Sequence, residues 1–239
     1  MELKRAVKIL EQTRKNYDLI AKEWNITRPW PRVAQINAVK DVRKGEKILD
    51  IGCGNGVLYD ALSKKSIDYT GVDVSSKLLK LAKARMPAKA KLMKGDILDL
   101  PFKDGLFDWV FAFAVLHHIP SEKLQNQAMR EMYRVLKPNG KVMVSVWNLY
   151  SDYAKKRFKI AEQLKNRPTG WNKNDLTIPW KATAPHVVNR YIYRFTQKNL
   201  SALLRRQNFK KIKTSLQSQS GQATRDIKNG QIIILRAQK

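Results

Sequence analysis

Three aspartates and one glycine-rich turn are the residues in this sequence best placed to do chemistry. The run Asp50-Ile51-Gly52-Cys53-Gly54-Asn55-Gly56 sets an acidic residue two positions ahead of Gly-x-Gly-x-Gly. Glycines at that spacing form a tight turn whose backbone can approach a ligand closely. Dinucleotide sites use Gly-x-Gly-x-x-Gly to seat a pyrophosphate. The pattern here differs, and its neighbouring carboxylate suits a ligand that carries an ammonium group instead of phosphates. Asp73 follows 17 residues after Gly56, a position from which it can accept both hydroxyls of a ribose. Asp96, in Gly95-Asp96-Ile97-Leu98, is placed for an adenine amino group, and Phe113, Ala114 and Val115 border the rest of such a ligand. Each aspartate alone could be a turn or cap residue. Three of them in sequence order, all at strand ends, are harder to explain that way.

The elements that must position them can be read from hydrophobic spacing. Short apolar strands are predicted over 47–51, 68–73, 91–93, 107–114 and 141–147, the last after a turn at Pro138-Asn139-Gly140. Helices are predicted between them over 58–63, 77–85 (capped by Ser75 or Ser76) and from Ser121 to residue 136. That alternation indicates an α/β fold with a doubly wound, mostly parallel seven-stranded sheet. A helix capped by Thr196, then strands over 210–217 and 231–237, would close it with an antiparallel edge hairpin. Ahead of the sheet come a helix over 2–24, the proline-punctuated Thr27-Arg28-Pro29-Trp30-Pro31-Arg32, and a helix over 33–42. The expected organisation is one domain over 1–239. It comprises a helical entry segment (1–44), a core (45–148), a basic insertion or lid (149–195) punctuated by Pro168, Gly170, Pro179 and Pro185, and a closing helix and hairpin (196–239).

With 239 residues and 43% hydrophobic side chains, the chain can bury a sizeable core. It has one cysteine, Cys53, and three histidines, His117, His118 and His186. An intrachain disulfide is impossible and no metal site is expected. No apolar run approaches the length of a membrane span, and residues 1–15 lack a signal-peptide core, so no membrane insertion and a cytoplasmic setting are expected. The charge is unusual: 47 basic against 20 acidic residues give +27. Residues 151–239 alone hold 20 basic and four acidic side chains. Such a field concentrates a polyanion, most commonly nucleic acid; a lysine-rich composition is the bland alternative.

The glycine turn and acidic strand ends resemble the class I S-adenosylmethionine (SAM)-dependent methyltransferases over residues 45–148. The resemblance implies SAM as cofactor, held by Asp50, Gly52, Gly54, Gly56, Asp73, Asp96, Ile97 and Ala114. Other motifs narrow it: Tyr17-Asp18-x-Ile20-Ala21, Thr27-Arg28-Pro29-Trp30-Pro31-Arg32-Val33, Ala114-Val115-Leu116-His117-His118, Val146-Trp147, Pro179-Trp180 and Arg190-Tyr191-x-Tyr193-x-Phe195. With the glycine turn, these look like the wobble-uridine tRNA carboxymethyl methyltransferases, from about Tyr17 to Phe209. Membership would imply methylation of the carboxylate of 5-carboxymethyluridine in tRNA. It would also imply a small zinc-binding activator protein, docked on the sheet edge near 91–93. An ionised carboxylate needs positioning more than acid–base help. Arg28, Arg190 and Tyr191 are therefore the expected catalytic contacts, and Trp30, His117, Trp147 and Asn148 the substrate-binding ones. His117 and His118 are expected to shape the pocket and not to move protons. Two other readings fit the same core motifs: a small-molecule methyltransferase of the quinone or sterol type, and a non-catalytic RNA-binding subunit with the same fold.

Overall fold

The computed structural model describes residues 1–180, 188–218 and 221–239. Pro185 and His186 of the expected lid lie outside the described residues. The chain opens with α1 (Leu3–Leu19), α2 (Ala21–Thr27) and α3 (Val33–Ala38). The single helix expected over 2–24 is thus two, broken at Ile20. That side chain is fully buried in a cluster with Trp180 and Val188, so tertiary packing sets the bend. The helix expected over 33–42 stops at Ala38.

The core alternates as the sequence predicts: β1 (Lys47–Ile51), α4 (Val57–Leu62), β2 (Asp68–Asp73), α5 (Ser76–Arg85), β3 (Lys91–Lys94), β4 (Phe107–Phe113), α6 (Glu122–Val135) and β5 (Leu136–Trp147). Ser75 and Ser121 cap α5 and α6 through side-chain oxygens that accept from Leu78 and Leu124 backbone N–H groups. β5 starts earlier than predicted. Pro138-Asn139-Gly140 is an irregularity inside the strand, where the register against β4 shifts and Asn139 adopts φ 63°.

The described residues of 149–195 hold more regular structure than a polar, proline-punctuated insertion suggests. They form α7 (Asp152–Arg157), α8 (Ile160–Lys165) and an antiparallel pair, β6 (Asp175–Trp180) with β7 (Val188–Tyr193). Leu149, Ile160, Leu176, Ile178 and Ile192 give this segment a small core of its own. Then come α9 (Gln197–Arg205), capped by Thr196, and β8 (Lys210–Gln217), the two-residue β9 (Ala223–Thr224) and β10 (Ile232–Gln238).

The main sheet has the order β3-β2-β1-β4-β5-β10-β8-β9. β3 through β5 are parallel, and β10 runs antiparallel to both β5 and β8. Seven full strands match the expectation; β9 adds a short eighth at the edge. Alternate residues of each strand face opposite layers. Leu49, Val110 and Val144 pack with Met129 of α6 and Leu204 of α9, whereas Ile48, Trp109 and Met143 pack with Leu58 of α4 and Ala82 of α5. At ~1.5–3 kcal/mol per fully buried large apolar side chain, these two layers supply most of the driving force. The order of strand addition reverses between the parallel neighbours β1 and β4, which opens a crevice at their carboxyl ends, the usual ligand position in such sheets. Among the described residues, no helix is long and apolar enough to cross a membrane, and no group of three or more His, Cys, Asp or Glu could hold a metal ion.

Candidate active site

The glycine turn leaves β1 directly into that crevice. Gly52 has φ +65°, and a Cβ there would meet Val115 Cγ2 at 2.3 Å. Both conformation and space demand glycine. Gly56, at φ +80°, closes the turn as the cap of α4 but does not line the crevice. Cys53 is buried, its thiol pushed well up by desolvation and by the nearby Asp73 and Asp50.

A cavity of about 130 Å³ lies beyond the turn, lined by Gly52, Gly54, Asp73, Asp96, Ile97 and Ala114. Asp73 accepts from the Gly54 and Ser75 backbone N–H groups, both at 2.8 Å. Burial raises its pKa to about 6, against the lowering effect of those two bonds. Asp96 is exposed and accepts from Leu98 N–H at 2.9 Å. Ala114 holds φ 58°, a strained value for a residue with a Cβ, at the end of β4. Asp50 stands apart from the others. Its carboxylate lies behind the turn, accepts from the Tyr69 hydroxyl at 2.7 Å, and does not line the cavity. Desolvation raises its pKa to about 7.

The roof comes from residues not expected at the site. Leu10, Thr13 and Tyr17 of α1 and Trp24 of α2 close over the cavity. Leu10, Tyr17 and Trp24 recur every seven residues, a spacing that marks one helix face; it identifies a buried face but not what the face covers. Asp18 pins this roof down by accepting from Ser75 Oγ at 2.7 Å and Lys77 N–H at 3.1 Å.

A second, more polar cavity of about 280 Å³ lies against residues of the 149–195 segment, and a space of about 120 Å³ joins the two. The joining space shares Gly52, Gly54 and Ala114 with the first cavity and Arg28 and Trp147 with the second. Arg28 stacks its guanidinium over Trp24 (3.9 Å) and Trp180 (4.4 Å). Burial first, then the neighbouring charge of Arg32, lowers its pKa to about 10, so it stays cationic at neutral pH. Arg190 is only 2% exposed and lies over Trp147 (5.0 Å) and Trp180 (5.1 Å). Its Nε and Nη1 have no hydrogen-bond partner among the described residues. Buried, charged and unpartnered donors are costly unless an anion meets them.

The histidines sit beside this passage. His118 Nδ1 lies 2.9 Å from the Tyr191 carbonyl oxygen, which only accepts, so Nδ1 donates. Desolvation, and then the Arg190 charge, depress its pKa to about 3. The ring is neutral, and Nε2 accepts from the Tyr17 hydroxyl at 2.7 Å. His117 is fully buried and also held neutral by desolvation. Its Nδ1 accepts from Trp147 N–H at 3.3 Å, which leaves the proton on Nε2, a donor with no partner among the described residues. His117 lines the joining space.

Two expected contacts are corrected. Tyr191 follows Arg190 on β7 and therefore points to the opposite side. Its hydroxyl donates to Asp175 at 2.6 Å, and it lines none of the three cavities. Asn148 borders the second cavity, but its amide is spent on neighbouring backbone, most of it distant in sequence. It donates to the Ile227 and Gly230 carbonyls and accepts from Tyr150 N–H. Trp30 and Trp147 both line the joining space; Trp30 is 74% exposed, while Trp147 also stacks on Phe158 at 6.0 Å.

Known proteins share this architecture. A methyltransferase-domain family model matches residues 49–144. The tRNA (carboxymethyluridine(34)-5-O)-methyltransferase alkbh8 of Xenopus tropicalis is 30% identical over 196 residues, covering 71% of this chain and 30% of that protein. The chain thus spans about a third of the length of the first curated relatives it matches. A putative methyltransferase of Encephalitozoon cuniculi is 32% identical over 163 residues, covering 68% of this chain and 70% of that one. The crystal structure of a SAM-dependent methyltransferase from Methanosarcina mazei superposes with a TM-score of 0.63 at 25% identity, covering 83% of this chain and 94% of its own.

Proposed function

Because this chain belongs to the SAM-dependent methyltransferases, with SAM as its cofactor, we propose that it methylates tRNA, on the carboxylate of 5-carboxymethyluridine at the wobble position. One observation carries the reading. Arg28 and Arg190 share the Trp180 ring in a cavity that opens to the glycine turn, and no Asp or Glu lines that cavity among the described residues. A planar anion held between two guanidinium forks fits that arrangement better than a neutral ring. The activity for which the Xenopus relative is named supports the same substrate, and the basic excess of residues 151–239 supports a nucleic acid.

SAM, when bound, supplies an electrophilic methyl group on a sulfonium. The residues fit such a cofactor. Asp73 has lone pairs left over from its two backbone bonds and would accept ribose hydroxyls, Asp96 and Ile97 would border the adenine end, and Gly52, Gly54 and Ala114 would let the methionine end approach the backbone. Gly56 shapes the turn, and Asp50 acts through it by holding Tyr69 behind β1.

The chain's own work is positioning. Arg28 and Arg190 grip the substrate carboxylate, which is already ionised at neutral pH. His117 Nε2–H, neutral and unspent, offers a third donor from the joining space. No base is required, and neither histidine is charged near neutral pH. Trp147 supports the inner face of the base, and the exposed Trp30 offers a stacking surface at the entrance. The α1–α2 roof and the lid exclude water. β3 is an open sheet edge with Met93 37% exposed, and there the small zinc-binding activator is proposed to dock.

Methyl-labelled SAM incubated with tRNA lacking the modification, and in parallel with small quinone or sterol acceptors, tests the substrate class. Label is expected on tRNA alone; label on a small acceptor and none on tRNA would overturn the proposal. A pH effect follows from Asp73. Accepting ribose hydroxyls favours its ionised form, whose pKa stands near 6. SAM affinity is therefore expected to be flat above pH 7 and to weaken as pH falls through about 6. Calorimetric titrations across that range check it, and affinity unchanged at pH 5 would remove Asp73 from the ribose contact.

A further inference from the structure

The carboxylate reading uses two arginines, but four line the second cavity: Arg28, Arg32, Arg157 and Arg190. They form an inner and an outer pair. Arg190 is buried and Arg28 half-buried, whereas Arg32, just before α3, and Arg157, in the last turn of α7, are exposed. No acidic side chain neutralises the outer pair among the described residues. The two carboxylates nearest in sequence to Arg157 are already engaged, Asp152 by Lys155 at 3.0 Å and Glu162 by Lys159 at 3.6 Å. The segments 181–187 and 219–220 contain no Asp or Glu.

One carboxylate group satisfies two guanidinium forks, so the outer pair is surplus to it. An aromatic wall runs along the same cavity, with Trp147 and Phe158 stacked at an interplanar angle of 7°. A buried anion subsite, an aromatic wall and an exposed anion subsite in one cavity match a single nucleotide, with the modified base inside, the sugar against the wall and the phosphate at the exposed pair. We propose that Arg32 and Arg157 form a phosphodiester site that holds the backbone phosphate next to the modified nucleotide. The proposal rests on the tRNA reading above and adds to it that the nucleotide enters splayed out of its strand, with its own phosphate gripped by the protein.

The test compares methyl transfer to 5-carboxymethyluridine as the free nucleoside and as its 3′,5′-bisphosphate. Both present the same base and carboxylate, so the ratio of their kcat/KM values isolates the phosphate and is insensitive to partial unfolding of a variant. The wild-type chain is expected to prefer the bisphosphate at least about tenfold, the effect of one charge-assisted hydrogen bond. In the double variant Arg32→Gln/Arg157→Gln the ratio is expected to fall to near one. An equal ratio in wild type and variant would overturn the site. If neither compound is methylated, binding of an unmodified uridine trinucleotide decides the phosphate site by itself. Weakening of about tenfold in the double variant, and none in the variant Lys80→Gln/Lys83→Gln, whose exposed lysines line none of the three cavities, sustains it. No weakening in either rejects it.

Discussion

Replacing Arg190 with alanine is expected to lower kcat/KM for tRNA by roughly 100- to 1,000-fold, while the SAM dissociation constant stays within about twofold. Truncating one partner of a buried, hydrogen-bonded charge pair costs ~2–5 kcal/mol, and every 1.4 kcal/mol is about a factor of ten. The fork of Arg190 is almost fully buried, its Nε and Nη1 are unspent, and Trp147 and Trp180 hold its plane. Little reorganisation is therefore needed when a carboxylate arrives. Lysine would keep the charge but lose the planar two-pronged grip, so Arg190→Lys should recover only a small part of the loss. Steady-state kinetics with calorimetric SAM binding separate the two effects. Full activity in Arg190→Ala would mean that the guanidinium serves packing alone.

Asp73→Ala is expected to weaken SAM binding by about 100-fold or more. Two hydroxyl contacts to an ionised acceptor are worth ~1.5–3 kcal/mol each. The alanine also frees the Gly54 and Ser75 N–H groups that the carboxylate now holds at 2.8 Å, so the glycine turn and the start of α5 lose a shared anchor. Asp73→Asn separates the two contributions. An asparagine carbonyl can still accept from one backbone N–H but carries no charge, so a loss of about tenfold is expected there. Calorimetry provides the affinities and thermal melts the anchor's share. Unchanged SAM affinity in both variants would place the ribose elsewhere.

Much of this architecture was legible in the residues, because period and punctuation are local signals. Residues 47–51 and 107–113 are near-continuous apolar runs, as strands covered on both faces must be. Ser75, Ser121 and Thr196 announce helix starts by capping chemistry that needs no tertiary context. At the site, Gly52, Gly54, Asp73, Asp96, Ile97 and Ala114 line one cavity because they end neighbouring parallel strands or begin the turns after them.

Other features depend on register and on long-range packing. The pair Arg190-Tyr191 shows the difference: a motif names both residues, but only strand pairing tells which one faces the pocket, and it is Arg190. Asn148 follows Trp147 into the active-site region, yet the Ile227 and Gly230 carbonyls, about 80 residues away, claim its amide. The roof was hidden for the same reason. Leu10, Tyr17 and Trp24 read as an ordinary core face, and only the bend at Ile20 carries α2 across the glycine turn. The lid's helices were masked by short apolar segments spread among lysines and prolines, and those segments meet only in the folded chain.

The most direct measurement of the central claim is the base stability of the transferred methyl group. The chain is incubated with methyl-tritiated SAM and tRNA lacking the modification, and the purified RNA is then treated with mild alkali. The expected result is label that leaves as methanol and maps to an ester of 5-carboxymethyluridine in the anticodon, since Arg28 and Arg190 are proposed to hold a carboxylate toward the cofactor cavity. Label that survives the alkali on a ring or ribose atom would contradict it: the anion gripped by Arg28 and Arg190 would then not be the methyl acceptor.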